Sequence, residues 1–172
     1  MIQTLIATIL LMAPCIDCQR LYPLTDVMPA PAPVPPMPDS AVSVTMQGLI
    51  AGGTKFPGAS VHKSQTNPIL MEAAAKHAQY QADHLTQGHQ LWDRRYRELQ
   101  AKMPGLGFAE IAAESWDWQR DNTMEQLGYE MFKCWKYSSG HWSVASKQHK
   151  YWGGSMAKGR NGIWYACIIV AD

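Results

Sequence analysis

From Asn67 onward apolar residues recur at helical spacing, and beyond Lys150 the pattern changes to short apolar runs bounded by glycines. Ala74, Ala78, Ala82 and Leu85 lie four, four and three residues apart, which puts them on one face of a helix over residues 68–86. Asn67-Pro68 supplies its cap and first turn, and Gly88 its stop. Small residues along that face imply a close neighbour. A second helix is predicted over 90–102, with Leu91, Trp92, Tyr96 and Leu99 apolar and Asp93, Arg94, Arg95, Arg97 and Glu98 forming a solvated face. The arginines read there as a charged face before a substrate clamp. A third helix is announced by Asn122 with Glu125 three residues on, a capping-box arrangement. Its stripe is Met124, Leu127, Met131, Cys134 and Trp135, and it stops at Ser138-Ser139-Gly140, so His141 is expected at a helix exit. Strands are predicted over 151–156 and 163–170, the first loosened by Gly153-Gly154. Asn161-Gly162 marks the hairpin between them.

The chain before Asn67 has a different texture. Residues 1–13 are nearly all apolar, too few to span a bilayer comfortably and suited to the core of an export signal, with an uncleaved membrane anchor as the alternative. Residues 22–39 carry seven prolines and should lie extended. A short strand is expected over 41–44 and turn or loop over 48–60, where Gly52-Gly53 and Pro57-Gly58 fall. The expected division is a leader or hydrophobic segment at 1–18, a Pro-rich linker and loop at 19–60, and one domain at 61–172. Cys15 and Cys18 form an isolated CxxC, a weak signal for metal or redox chemistry. Export would place the domain outside the cytoplasm, where an oxidising compartment permits a bridge between Cys134 and Cys167.

Composition narrows the functions. A chain of 172 residues, 47% hydrophobic, builds one core more readily than two. A net charge of +1, from 15 basic and 14 acidic residues without blocks, gives no field for nucleic acid or an anionic membrane. Seven Trp and seven Tyr can pack the core or furnish a groove. There is no phosphate-binding loop, dinucleotide fingerprint or GxSxG elbow. Ser138, Ser139 and Ser143 flank His141, but neighbours in sequence seldom point at one another, so no nucleophile is evident. His77 and His84 read as partly exposed or hydrogen-bonded helix residues rather than ligands.

The segment Trp135-x-x-Ser138-Ser139-Gly140-His141-Trp142, followed by Tyr151-Trp152-Gly153-Gly154 and an aromatic-led terminal strand at 164–170, resembles the second half of the CAP superfamily. That superfamily comprises the cysteine-rich secretory proteins, antigen 5 and pathogenesis-related 1 proteins, and the chain is nearest to its bacterial-type members. The alanine-spaced helix leading to His89 resembles the approach to the family's first histidine, and Ala113-Glu114-Ser115-Trp116 its Gly-Glu-Asn-Ile segment. The likeness spans residues 67–171.

Helix, helix, helix, strand, strand on one core predicts an α+β domain in a three-layer α/β/α sandwich, and the resemblance implies further short strands in a central, mainly antiparallel sheet. It also implies a cleft at His89, Glu114 and His141, with Glu110 as the rival acid. Trp142 and Trp116 are expected to line it. Two neutral imidazoles suit Zn²⁺ while a carboxylate orients a ring or a water, and the same histidines can instead tie loops together by hydrogen bonds. The function expected is a secreted or envelope-associated, non-enzymatic binding module for a lipid, sterol or peptide partner, with no cofactor required and Zn²⁺ as a candidate ligand. A metal-assisted hydrolase and a structural surface protein are the competing readings.

Overall fold

The computed structural model describes residues 39–115 and 122–172, with side chains from residue 44. The expected leader at 1–18, the CxxC pair, the Pro-rich stretch up to Pro38 and Trp116 lie outside the described residues.

Asn67 does what its type predicts: its side chain accepts from the backbone N–H groups of Ile69 and Leu70 and starts α2, Pro68–His84. Helix α3, Trp92–Lys102, begins two residues later than the spacing suggests. Residues 108–114, which periodicity left unassigned, form strand β2, Phe108–Glu114. Helix α4, Met124–Lys136, is capped one residue further on than expected. Thr123 accepts from Gln126 N, and the Gln126 side chain accepts from Thr123 N. His141 is not at a helix exit but inside a short helix, α5, Ser139–Ala145.

Strands β3, Tyr151–Lys158, and β4, Trp164–Ala171, form the expected hairpin, turning through Gly162 at φ +82°. The two-residue strand β1, Gln65–Thr66, lies parallel to β3, while β4 pairs antiparallel with both β3 and β2. The result is an α+β domain on a four-stranded mixed sheet in the order β1-β3-β4-β2. Period-two alternation divides the residues of β4 between two apolar clusters. Ala166, Ile168 and Val170 face one with Leu49, Leu127 and Trp135; Tyr165, Cys167 and Ile169 face another with Leu70, Ala74 and Leu99.

That alternation also settles the cysteines. Cys167 is fully buried among α2 residues, whereas Cys134 on α4 packs against the other cluster. The two lie against opposite faces of the sheet, and the expected bridge between them does not form.

The largest departure is at residues 39–60. Instead of a strand and a glycine loop, Asp39–Lys55 is a helix, α1, so the linker-and-loop reading fails there and the domain includes this segment. Its glycines serve contact. A Cβ on Gly52 would overlap the backbone N of Tyr129, and one on Gly128 of α4 would overlap the Gly48 carbonyl oxygen, so the two helices meet backbone to backbone. Gly153 likewise does not loosen β3: a Cβ there would overlap the α2 backbone at Leu70 and Met71.

Candidate functional site

Among the described residues strand β2 is an edge of the sheet, and two of its carbonyls are taken by side chains. Ala112 O accepts from Gln87 Nε2 at 3.2 Å and from Trp135 Nε1 at 3.0 Å, and Glu114 O accepts from Cys134 Sγ at 3.7 Å. Those bonds hold the α2–α3 connection and the end of α4 against the edge, and in doing so bring His89 to His141.

The α2–α3 connection is a strained loop. Leu85 ends α2 at φ 52° and Leu91 caps α3 at φ 60°, two left-handed leucines bracketing His89. Each such residue costs about 1–3 kcal/mol and persists only where the surroundings over-determine it. Here α2 does so with two buried polar residues one turn apart. Gln81 Oε1 accepts from Gly88 N at 3.1 Å, and His77 Nε2 donates to Gly88 O at 2.7 Å.

His89 Nδ1 lies 3.0 Å from Glu110 Oε1, so the ring donates to the carboxylate. Its Nε2 lies 3.3 Å from His141 Nε2. Arg95 of α3 grips the same carboxylate with two prongs, Nε to Oε2 and Nη2 to Oε1, both 2.8 Å. The Glu110 side chain is 1% exposed and that of Arg95 12%, so this is a buried, forked ion pair. Burial by itself would raise the Glu110 carboxyl, but the bond from His89 and the charges of His77 and Arg95 outweigh it and hold it below the usual range. His141 is pushed down by burial and then by His89, which favours its neutral form.

The carboxylate that meets His89 is therefore Glu110 and not Glu114. Both point to the same sheet face, because residues four apart in a strand share a face as they do in a helix, but they lie about 13 Å apart. Among the described residues the Glu114 carboxyl makes no side-chain hydrogen bond, and burial raises it. The Trp142 ring packs edge-on against Phe56 at 5.9 Å and carries the Lys136 ammonium 4.1 Å from its centroid.

Sequence reading gave His77 as a hydrogen-bonded helix residue without its partner and missed Gln81 and Arg95, although their spacing held a signal. His77 and Gln81 are polar residues on the alanine face of α2, and Arg95 lies three residues after Trp92 and four before Leu99, on the apolar side of α3.

One expected outcome follows from the histidines. His77 is held down by burial ahead of its attraction to Glu110, and burial also lowers His62 and His141. The unfolded chain then takes up protons near pH 6.5 that the folded chain refuses, so stability is full above that value and declines as pH falls. Thermal midpoints at pH 7.5, 6.5 and 5.5 should fall in that order; a midpoint that holds or rises on acidification would contradict this assignment.

No protein-family model and no curated protein matches the chain.

Proposed function

We propose that the chain is a CAP-type, extracytoplasmic binding module that works without catalysis, and that its ligand site is the cleft of His89, Glu110 and His141, with Zn²⁺ as a ligand of the histidine pair. The order of motifs along the sequence supports the family reading, as do helices packed on both faces of one sheet, the arrangement a three-layer sandwich requires.

The observation that carries the site is the approach of the two Nε2 atoms to 3.3 Å, with the far nitrogen of His89 on a carboxylate. Two Zn–N bonds of about 2.0–2.1 Å at a tetrahedral angle place their nitrogens about 3.3 Å apart, and a carboxylate behind a ligating imidazole is the usual second support. The donor set thus fits the ion. When bound, Zn²⁺ would supply a Lewis-acidic centre with positions left for a ligand or water.

Among the described residues no third His, Cys, Asp or Glu joins the pair as a metal group, and both Glu110 oxygens are engaged, so binding should be weaker than at a closed structural zinc site. Exposed Leu91 and Tyr137, close in sequence to His89 and His141, offer apolar contact to a lipid-like or peptide ligand. Among the described residues no helix is long and apolar enough to cross a membrane.

Neither hydrolase nor protease chemistry gains support. Ser143, the nearest candidate hydroxyl with a defined partner, donates to Gly140 O at 2.7 Å within its own helix. Calorimetric titration with Zn²⁺ should give saturable one-to-one binding that is lost in both His89→Ala and His141→Ala, and a hydrolase screen should show no metal-dependent turnover. Absence of binding in the wild type would remove the metal from this reading, and turnover dependent on both histidines would replace it with a hydrolase.

A further inference from the structure

We propose that Arg95 is a positioning residue for His89: through Glu110 it keeps the imidazole proton on Nδ1 and turns a bare Nε2 toward His141. The proposal rests on the reading of this cleft as a ligand site, yet its principal readout needs no ligand.

A single guanidinium controls both ends of His89. Its Nη1 donates to Gln90 O at 2.7 Å, which ties down the residue following His89 in the chain. Its Nε and Nη2 take one oxygen each of Glu110 at 2.8 Å, which fixes the plane of the carboxylate. A planar fork on a planar acceptor resists rotation in a way a point charge does not. With the plane fixed, Oε1 lies 3.0 Å from His89 Nδ1. His77 does not displace that contact, because its Nε2 stands 3.6 Å from Oε1 and is committed to Gly88 O.

An ionised carboxylate only accepts, so the Nδ1 facing it carries the hydrogen and the other nitrogen of the neutral ring carries the lone pair. His141 then donates its Nε2–H across the 3.3 Å gap. A cation entering the cleft would meet one lone pair already presented by His89. Arg95 comes from the packed side of α3, its guanidinium carbon 5.8 Å from the Trp92 ring centroid, so it is held from behind as well as in front. A tie whose role was only to join α3 to β2 would not need to engage the backbone beside His89.

Nitrogen-15 spectra of the histidine rings in the metal-free protein test this. Wild-type His89 should show a protonated Nδ1 and an unprotonated Nε2. In Arg95→Met the two signals should move toward the averaged values of a ring that exchanges tautomers, and Arg95→Lys, which keeps the charge without the fork, should fall between. Zn²⁺ affinity should drop about 10–100-fold in Arg95→Met.

A folded Arg95→Met protein whose His89 signals match the wild type would overturn the proposal, leaving Arg95 a structural tie. If that variant does not fold, Arg95→Lys decides, and unchanged ring signals there would overturn it too, since the fork is the claimed feature. A wild type with the expected ring signals, lost in the variants, but with no Zn²⁺ binding would refute the metal reading and leave the positioning role standing.

Discussion

Glu110→Ala should lower stability by about 3–5 kcal/mol, a loss typical of removing one partner from a buried ion pair. The substitution leaves the Arg95 guanidinium 12% exposed and without its carboxylate, and it takes the acceptor from His89 Nδ1. Glu114→Ala, four residues along the same strand face, should cost under about 1 kcal/mol, because that carboxyl has no such partner among the described residues. Urea denaturation of the two variants beside the wild type measures the contrast. Equal losses would mean that the ion pair is not what anchors α3 to β2.

Gly128→Ala should be comparably damaging, at about 2–3 kcal/mol or more. The added carbon would overlap the Gly48 carbonyl oxygen, and backbone atoms cannot swing aside as a side chain does, so α1 and α4 must separate. Their separation would open a cluster holding Leu49, Leu127, Phe132 and Trp135, all essentially inaccessible to solvent. Gly140→Ala is the matched control. A Cβ there meets nothing within 4 Å, and the helical site in α5 should gain up to about 1 kcal/mol from the reduced freedom of the unfolded chain. Thermal melts that rank the two variants the other way would refute the backbone-to-backbone crossing.

Where the sequence was readable, a local rule and the tertiary fold asked for the same residue. Asn67-Pro68 began a helix, the alanine spacing of α2 marked its buried face, and Asn161-Gly162 turned the β3–β4 hairpin. Helix α1 was unreadable for the opposite reason. Glycine is a poor helix former and a good turn former, so Gly48, Gly52 and Gly53 argue locally for a loop. Only the close approach of α4, more than seventy residues away in the chain, makes them favourable in a helix.

The cleft shows the same division. The resemblance pointed to His89 and His141, which the structure brings to 3.3 Å, and to Glu114, with Glu110 a rival only if the alignment slips by four; both acids occupy one face of β2. What separates them is Arg95, which looked like one arginine among several on a charged helix and is the one that turns inward. His77 was hidden similarly, as a helix histidine whose partner is a backbone carbonyl eleven residues on.

The measurement that bears most directly on the site is Zn²⁺ affinity in Glu110→Gln and Glu114→Gln, titrated beside the wild type under one set of conditions. Glu110→Gln should weaken binding about 10–100-fold by replacing the carboxylate that orients His89, while Glu114→Gln should bind as the wild type does. Loss of affinity in Glu114→Gln with Glu110→Gln unaffected would contradict the assignment of Glu110 as the acid of the cleft.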